Sequence, residues 1–223
     1  MEKLEKDIMA YGHHQASCLS CMNIIYTLYN NFMQPGDRFV LSKAHASGVL
    51  YHILEEKGLI DKSEIPYWPS HCTYGMPGVE FTGGSLGMGL GVAAGIALSL
   101  KNKRELGLVI CLVGDGELYE GSNWEAIMFA AAHKLNNLIC IVDRNFMSAS
   151  DFTESFLPLE SLEDKFDAFN WDFLGVNEDR FFPIIQSARF RVSDVPLCLI
   201  INTVKGRGYK EFMANPRCHT MKI

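Results

Sequence analysis

Asp115, set between Gly114 and Gly116, and Asn145 further along are the residues whose types and spacing first suggest chemistry. A carboxylate and a neutral amide carbonyl are hard oxygen donors, suited to Mg²⁺ or Ca²⁺ rather than zinc, and a metal held this way can carry a diphosphate. Glycine on both sides lets the backbone turn tightly and approach a bulky anion, which a side chain at either position would obstruct. A bare Gly-Asp-Gly run also reads as a tight turn. It is the Asn placed after a second strand that makes a cofactor enzyme the leading expectation.

Two strands must position the pair. Residues 108–113 and 138–142 are apolar and rich in β-branched side chains, which predicts two buried parallel strands. Between them, Trp124, Ile127, Met128 and Ala131 recur at three- and four-residue steps and predict a crossover helix over 120–134. Asp115 and Asn145 would then stand just past the carboxyl ends of the strands, the edge at which open α/β sheets bind ligands.

The remaining pattern supports the same architecture. Met22, Ile25, Leu28 and Tyr29 predict a helix over 20–32 that Pro35-Gly36-Asp37 ends, and a short strand follows over 38–41. A helix over 46–57 leads to a Pro-, Gly- and aromatic-rich loop over 65–79. A glycine-rich run over 82–91 then enters an Ala-rich helix ending near Lys101. Residues 147–162 lose periodicity and read as a surface excursion. Residues 166–171 read as a helix end, 172–176 as a strand, 183–189 as a helix and 197–204 as another buried strand. Strands alternating with helices predict a single α/β domain over 1–223, a mostly parallel sheet with helices on both faces.

At 223 residues and 48% hydrophobic content, the chain can bury one sizeable core. Its net charge is −6 and no Lys/Arg cluster is long enough to follow a phosphate backbone, which argues against nucleic acid. No apolar run approaches the roughly 20 residues that cross a bilayer. The start is charged rather than signal-like, so a cytoplasmic protein is expected. Seven scattered cysteines look like reduced, buried thiols. Cys18 and Cys21 read as two small residues on one helix face, although the nearby His13 and His14 leave zinc open.

Six segments, in this order, resemble the amino-terminal, diphosphate-binding half of the transketolase family, which uses thiamine diphosphate. They are Gly12-His13-His14-Gln15-Ala16-Ser17, Leu41-Ser42-Lys43-Ala44-His45-Ala46, Pro77-Gly78-Val79-Glu80 with Thr82-Gly83-Gly84-Ser85-Leu86-Gly87, Gly114-Asp115-Gly116-Glu117-Leu118-Tyr119-Glu120-Gly121, Trp124-Glu125-Ala126, and Thr203-Val204-Lys205-Gly206-Arg207-Gly208. The resemblance spans nearly the whole chain. It implies that Asp115, Asn145 and the backbone carbonyl of Met147 are the protein ligands of Mg²⁺, with Ca²⁺ as a possible substitute. It also implies that His45, Gly84, Leu86, Gly114, Gly116, Glu117 and His219 contact the cofactor, Leu86 beside the thiazolium ring. His13, His71 and His219 are implied to line the channel for the sugar and to exchange protons with it, with His14 competing for the role of His13.

The pattern departs from the family at three places. Ala44 stands where the family has Gly, Gly83-Gly84-Ser85 replaces the commoner Gly-Pro, and Arg217-Cys218-His219 replaces Trp-His. Glu120, Trp124 and Glu125 match a homodimer contact. The expected reaction moves a two-carbon ketol unit from a ketose or ketose phosphate to an aldose. The pyrimidine-binding domain that completes such a site is expected on a separate carboxyl-terminal transketolase subunit, in an α₂β₂ assembly. Another thiamine diphosphate enzyme, such as a deoxyxylulose phosphate synthase or a 2-oxo acid dehydrogenase α subunit, and a non-catalytic scaffold subunit remain alternatives.

Overall fold

The computed structural model describes residues 1–223. Its centre is a five-stranded, wholly parallel sheet in the order β1-β2-β3-β5-β4, formed by β1 (Arg38–Leu41), β2 (Val109–Gly114), β3 (Leu138–Arg144), β4 (Asp172–Asn177) and β5 (Leu197–Asn202). In the three central strands almost every residue is buried, whereas β4 lies at the edge with most of its side chains exposed. That contrast follows from position, since only a central strand is covered on both faces.

Alternate residues divide the core into two layers. On one face Phe39, Leu41, Ile110, Leu112, Ile139 and Ile141 pack against α1 (Glu2–Tyr11), α2 (Gln15–Thr27), α3 (Ser47–Glu56) and α8 (Phe181–Ala188). On the other, Val109, Cys111, Val113, Cys140 and Val142 meet α4 (Gly89–Lys103), α5 (Gly121–Ala132) and α7 (Leu162–Ala168). The expected parallel sheet covered on both faces is therefore the observed one.

The differences from expectation have local causes. The charged start is helix α1, anchored by Leu4 and Ile8, which are four residues apart and fully buried. Gly12, in a left-handed conformation, ends it, and α2 begins at Gln15, five residues earlier than the periodicity of Met22 and its successors indicates. The α2 helix widens into one π turn over Leu28–Phe32 before Pro35. Residues 147–162 do make an excursion, but it carries the short helix α6 (Thr153–Phe156) and buries Met147, Thr153, Leu159 and Leu162. The β5 strand stops at Asn202, so Thr203 and Val204 lie beyond it. All seven cysteines are free and buried. Burial raises the Cys18 thiol to about 11 and pushes Cys21 higher still. No helix is long and apolar enough to cross a membrane.

Candidate active site

Gly114 pairs with Asp143 across β2 and β3, so Asp115 and Asn145 leave two neighbouring strands at the same rim of the sheet. Both lie on a cavity of about 320 Å³ that also receives Ser17, Lys43, His45, His71, Gly84, Leu86, Gly114, Gly116, Glu117, Met147, Lys205 and His219. Thus every residue expected in the site lines one cavity except His13 and its competitor His14.

The oxygen donors are held by hydrogen bonds. Asp115 is buried, and its Oδ1 accepts from the Gly116 N–H at 2.7 Å. Its Oδ2 accepts from the Phe146 N–H at 2.6 Å and from Arg144 Nη1 at 3.2 Å. Asn145 donates from Nδ2 to Asp143 and accepts at Oδ1 from the Met147 N–H. Burial first, then the Asp143 charge, raises the Asp115 carboxyl to about 6 against the pull of Arg144 and two backbone donors. One carboxylate, one amide oxygen and the Met147 carbonyl form a hard donor set with a single negative charge, which fits a divalent cation that also binds an anionic ligand. Histidine and thiolate take no part in it. Such a cation would relieve the carboxylate's burial penalty.

Glycine matters unequally at the two flanking positions. A Cβ on Gly116 would come within 3.1 Å of Ser148 Cα, whereas one on Gly114 would meet only ordinary contacts. Among protein atoms, therefore, only Gly116 is crowded. Glu117 is buried and acts as a brace: Oε1 accepts from Ser42 Oγ and from the Gly87 N–H, and Oε2 from the Gly114 N–H. It ties the ends of β1 and β2 to the glycine-rich turn. Both its oxygens are already engaged within the protein.

Four imidazoles cluster here, and three of them, His45, His71 and His219, line the same cavity as the oxygen donors. The ring of His14 lies 5.4 Å from His45, 5.5 Å from His71 and 4.9 Å from His219, and His45 lies 5.0 Å from His219. Burial lowers all four pKa values. His45 is also pushed down by Lys43, and His219, at about 4, by Lys205 and His14. The rings are therefore neutral at pH 7, each able to donate through one nitrogen and accept through the other.

The structure separates His13 from this group. His14 takes a left-handed conformation (φ 45°) at the start of α2, and its Nδ1 lies 3.1 Å from the His219 carbonyl. That turn directs His14 inward and leaves His13 exposed beside the Tyr11 ring, in a separate hollow with Asp7, His52 and Lys62. The motif offers two adjacent histidines, and only the backbone turn distinguishes them. His219 is seated by the turn over Pro216–Thr220, whose Cys218 packs with Ala16, Leu19 and Phe212 beside α2.

Three cationic residues in and beside the site carry no role in the sequence reading. Lys43 and Lys205 are buried, the first paired with Asp143 and the second donating to the Ser148 carbonyl at 2.8 Å and approaching the Met147 carbonyl at 3.5 Å. Arg144 lies against Asp115. Lys43 and Lys205 belong to two of the six family-like segments, and a lysine shortly after an apolar strand was the available signal. Trp124 is half-buried: its Nε1 donates to the Leu118 carbonyl at 2.8 Å and its ring packs on Phe166 and Phe169. Glu120 and Glu125 are exposed.

Residues 8–222 match the family described as transketolase, thiamine diphosphate binding domain. The chain is 38% identical over 219 residues to one subunit of the apulose-4-phosphate transketolase of Phocaeicola vulgatus, covering 89% of this chain and 77% of that one. It is 35% identical to 6-deoxy-6-sulfo-D-fructose transketolase subunit SqwG of a Clostridium species, covering 94% and 83% respectively. The crystal structure of Campylobacter jejuni transketolase superposes with a TM-score of 0.81 at 25% identity, over 98% of this chain but 40% of that one. Motif order, sheet topology and overall likeness agree: the chain belongs to the family of transketolase thiamine diphosphate-binding domains, within the transferases.

Proposed function

We propose that this chain is the diphosphate-binding subunit of a two-subunit transketolase that moves a two-carbon ketol unit from a ketose or ketose phosphate to an aldose. The observation that carries the reading is the single cavity lined both by Asp115, Asn145 and Met147 and by His45, His71 and His219, with His14 packed against those three rings. Asp115, Asn145 and the Met147 carbonyl would hold Mg²⁺, and through it the diphosphate of thiamine diphosphate. Gly116, Lys205 and Leu86 line the same cavity, where Gly116 and Lys205 would flank the anion and Leu86 would meet the ring. When bound, the cofactor supplies the electron sink for carbon–carbon cleavage. The chain's own residues orient the sugar, and His14, His71 and His219 exchange protons with its hydroxyl groups.

The partner reading draws on the relatives. The two subunits named above are matched over most of their length, whereas human transketolase, 34% identical, is matched over 36% of its own. A second subunit would bring the pyrimidine-binding domain and the group that protonates the aminopyrimidine. A pair of such heterodimers would meet through the face carrying Glu125, Met128 and Phe129. Seven unpaired thiols fit a reducing compartment, and the cytoplasm is the proposed location.

Assay of ketol transfer with the isolated chain, and again after adding the co-purifying subunit, tests the reading. Near-zero activity alone and turnover on reconstitution are expected. Full activity from the isolated chain would refute the two-subunit form, and carbon dioxide release from pyruvate would move the chain to a decarboxylating class.

A further inference from the structure

Arg144, the last residue of β3, is 1% exposed, yet none of the proposed chemistry uses it. One edge of its guanidinium reaches Asp115 Oδ2 at 3.2 Å and Thr153 Oγ1 at 2.8 Å. The other donates to Glu154 and, at 2.6 Å, to Glu160. Its flat face covers the Phe146 ring at 4.1 Å from the centroid. These partners span residues 146–160, the segment that supplies Met147, Ser148, Ala149, Ser150 and Phe156 to the cavity wall.

Elsewhere the segment is held by Lys205 on the Ser148 carbonyl, by Tyr119 on the Thr153 carbonyl and by the buried Met147 and Leu159, but Arg144 alone joins it to the Asp115 carboxylate through a side chain. Phe146 sits in a left-handed conformation (φ 63°), which costs a residue with a Cβ on the order of 1–3 kcal/mol unless its surroundings hold it. What holds it is the Asp115 carboxylate on its N–H, the Thr153 N–H on its carbonyl at 3.0 Å and the guanidinium on its ring. Glu154, the second strut, in turn accepts from the Leu159 N–H at 3.2 Å and the Glu160 N–H at 3.4 Å, which closes the far end of the segment. A planar fork with donors on both edges can join these groups simultaneously, and a point-charge ammonium cannot.

We propose that Arg144 is a positioning residue that ties the Asp115 carboxylate to the 146–160 wall, so that metal loading at Asp115 and ordering of that wall form one linked equilibrium. The inference rests on the proposed reading of Asp115 as a metal ligand. Linkage is reciprocal: if the wall favours the ligand-ready carboxylate, loading must stabilise the wall by the same factor.

Hydrogen exchange of the amides in 146–160, measured on the chain with its co-purifying subunit while titrating Mg²⁺ at saturating thiamine diphosphate, tests the link in wild type, Arg144→Met, Arg144→Lys and Glu160→Gln. The Met variant should fold, because Glu154 and Glu160 are 35% and 50% exposed and can be hydrated, and Asp115 keeps two backbone donors. Wild type should show exchange slowed by loading. Arg144→Met should exchange faster, lose most of that ligand-induced slowing, and need about tenfold or more Mg²⁺ for half-saturation. Arg144→Lys should recover little, and Glu160→Gln, which loosens one strut only, should fall between. A purely structural anchor would raise basal exchange and leave both the increment and the Mg²⁺ midpoint at wild-type values, and that result would overturn the proposal. Asp115→Asn separates the two failures. If it loses Mg²⁺ binding while Arg144→Met keeps it, the linkage alone is wrong; if wild type itself shows no Mg²⁺ response, the reading of Asp115 is wrong.

Discussion

Asn145 donates from Nδ2 to the buried carboxylate of Asp143 at 3.3 Å, which fixes the amide so that its oxygen is left as the acceptor that meets the Met147 N–H at 3.1 Å. Asp143 also accepts from Lys43, from Ser20 Oγ at 2.6 Å and from Thr203 Oγ1. Lys43 and Asp143 are 2% and 0% exposed, so neither charge has water to fall back on. Lys43→Met strands the carboxylate and should cost about 3–5 kcal/mol in denaturant unfolding. The double change Lys43→Met with Asp143→Leu should recover much of that loss. A Lys43→Met protein as stable as wild type would show that the pair does not brace the rim.

Acid should expose the histidine cluster. Burial lowers the pKa of His14, His45, His71 and His219, the last to about 4, so each ring binds its proton more weakly folded than unfolded. The stability they allow is complete above the ordinary histidine pKa of about 6.5 and is lost as pH falls through the folded values. Unfolding free energy should therefore decline between about pH 6.5 and pH 4. His219→Gln should make that decline shallower by about one proton. An identical slope in the variant would remove His219 from the set.

Close packing at the glycine-rich turn yields a paired prediction. A Cβ on Gly83 would stand 2.1 Å from the Cβ of Ala44, the residue that replaces a family glycine. Gly83→Ala should cost about 1–3 kcal/mol, and adding Ala44→Gly should restore most of it in a double-mutant cycle. Additive losses would mean that the two turns do not press on each other.

Unbroken apolar runs and three- and four-residue helical spacing made the sheet, its central strands and most helices legible, because β2, β3 and β5 are buried on both faces. Asp115 and Asn145 could be placed for the same reason: a residue just after a buried strand has one available edge. Arg144 was hidden because its partners, Thr153, Glu154 and Glu160, come from a segment without periodicity. The choice between His13 and His14 depends on a single left-handed residue, which composition does not encode. The helical spacing at Trp124 marks an apolar stripe but does not reveal that its indole N–H is taken by Leu118 and its ring by Phe166.

The exposed face of α5 should carry the contact between copies. Met128 and Phe129 are 49% and 40% exposed, on a helix whose opposite side packs against α4 and buries Ala126, Ile127 and Ala130 in the core layer. Phe129→Glu should shift the assembled enzyme toward the smaller heterodimer in sedimentation, with the circular dichroism of the fold unchanged. An unaltered sedimentation profile would place the contact elsewhere.

The most direct test is calorimetric titration of thiamine diphosphate into the chain with its co-purifying subunit, with Mg²⁺ and again after chelation, for wild type and Asp115→Asn. Tight binding only with metal in wild type, weakened at least tenfold in the nearly isosteric variant, is the predicted result. Equal binding in both proteins with and without the metal would contradict the assignment of Asp115, Asn145 and Met147 as the site of the metal-held diphosphate.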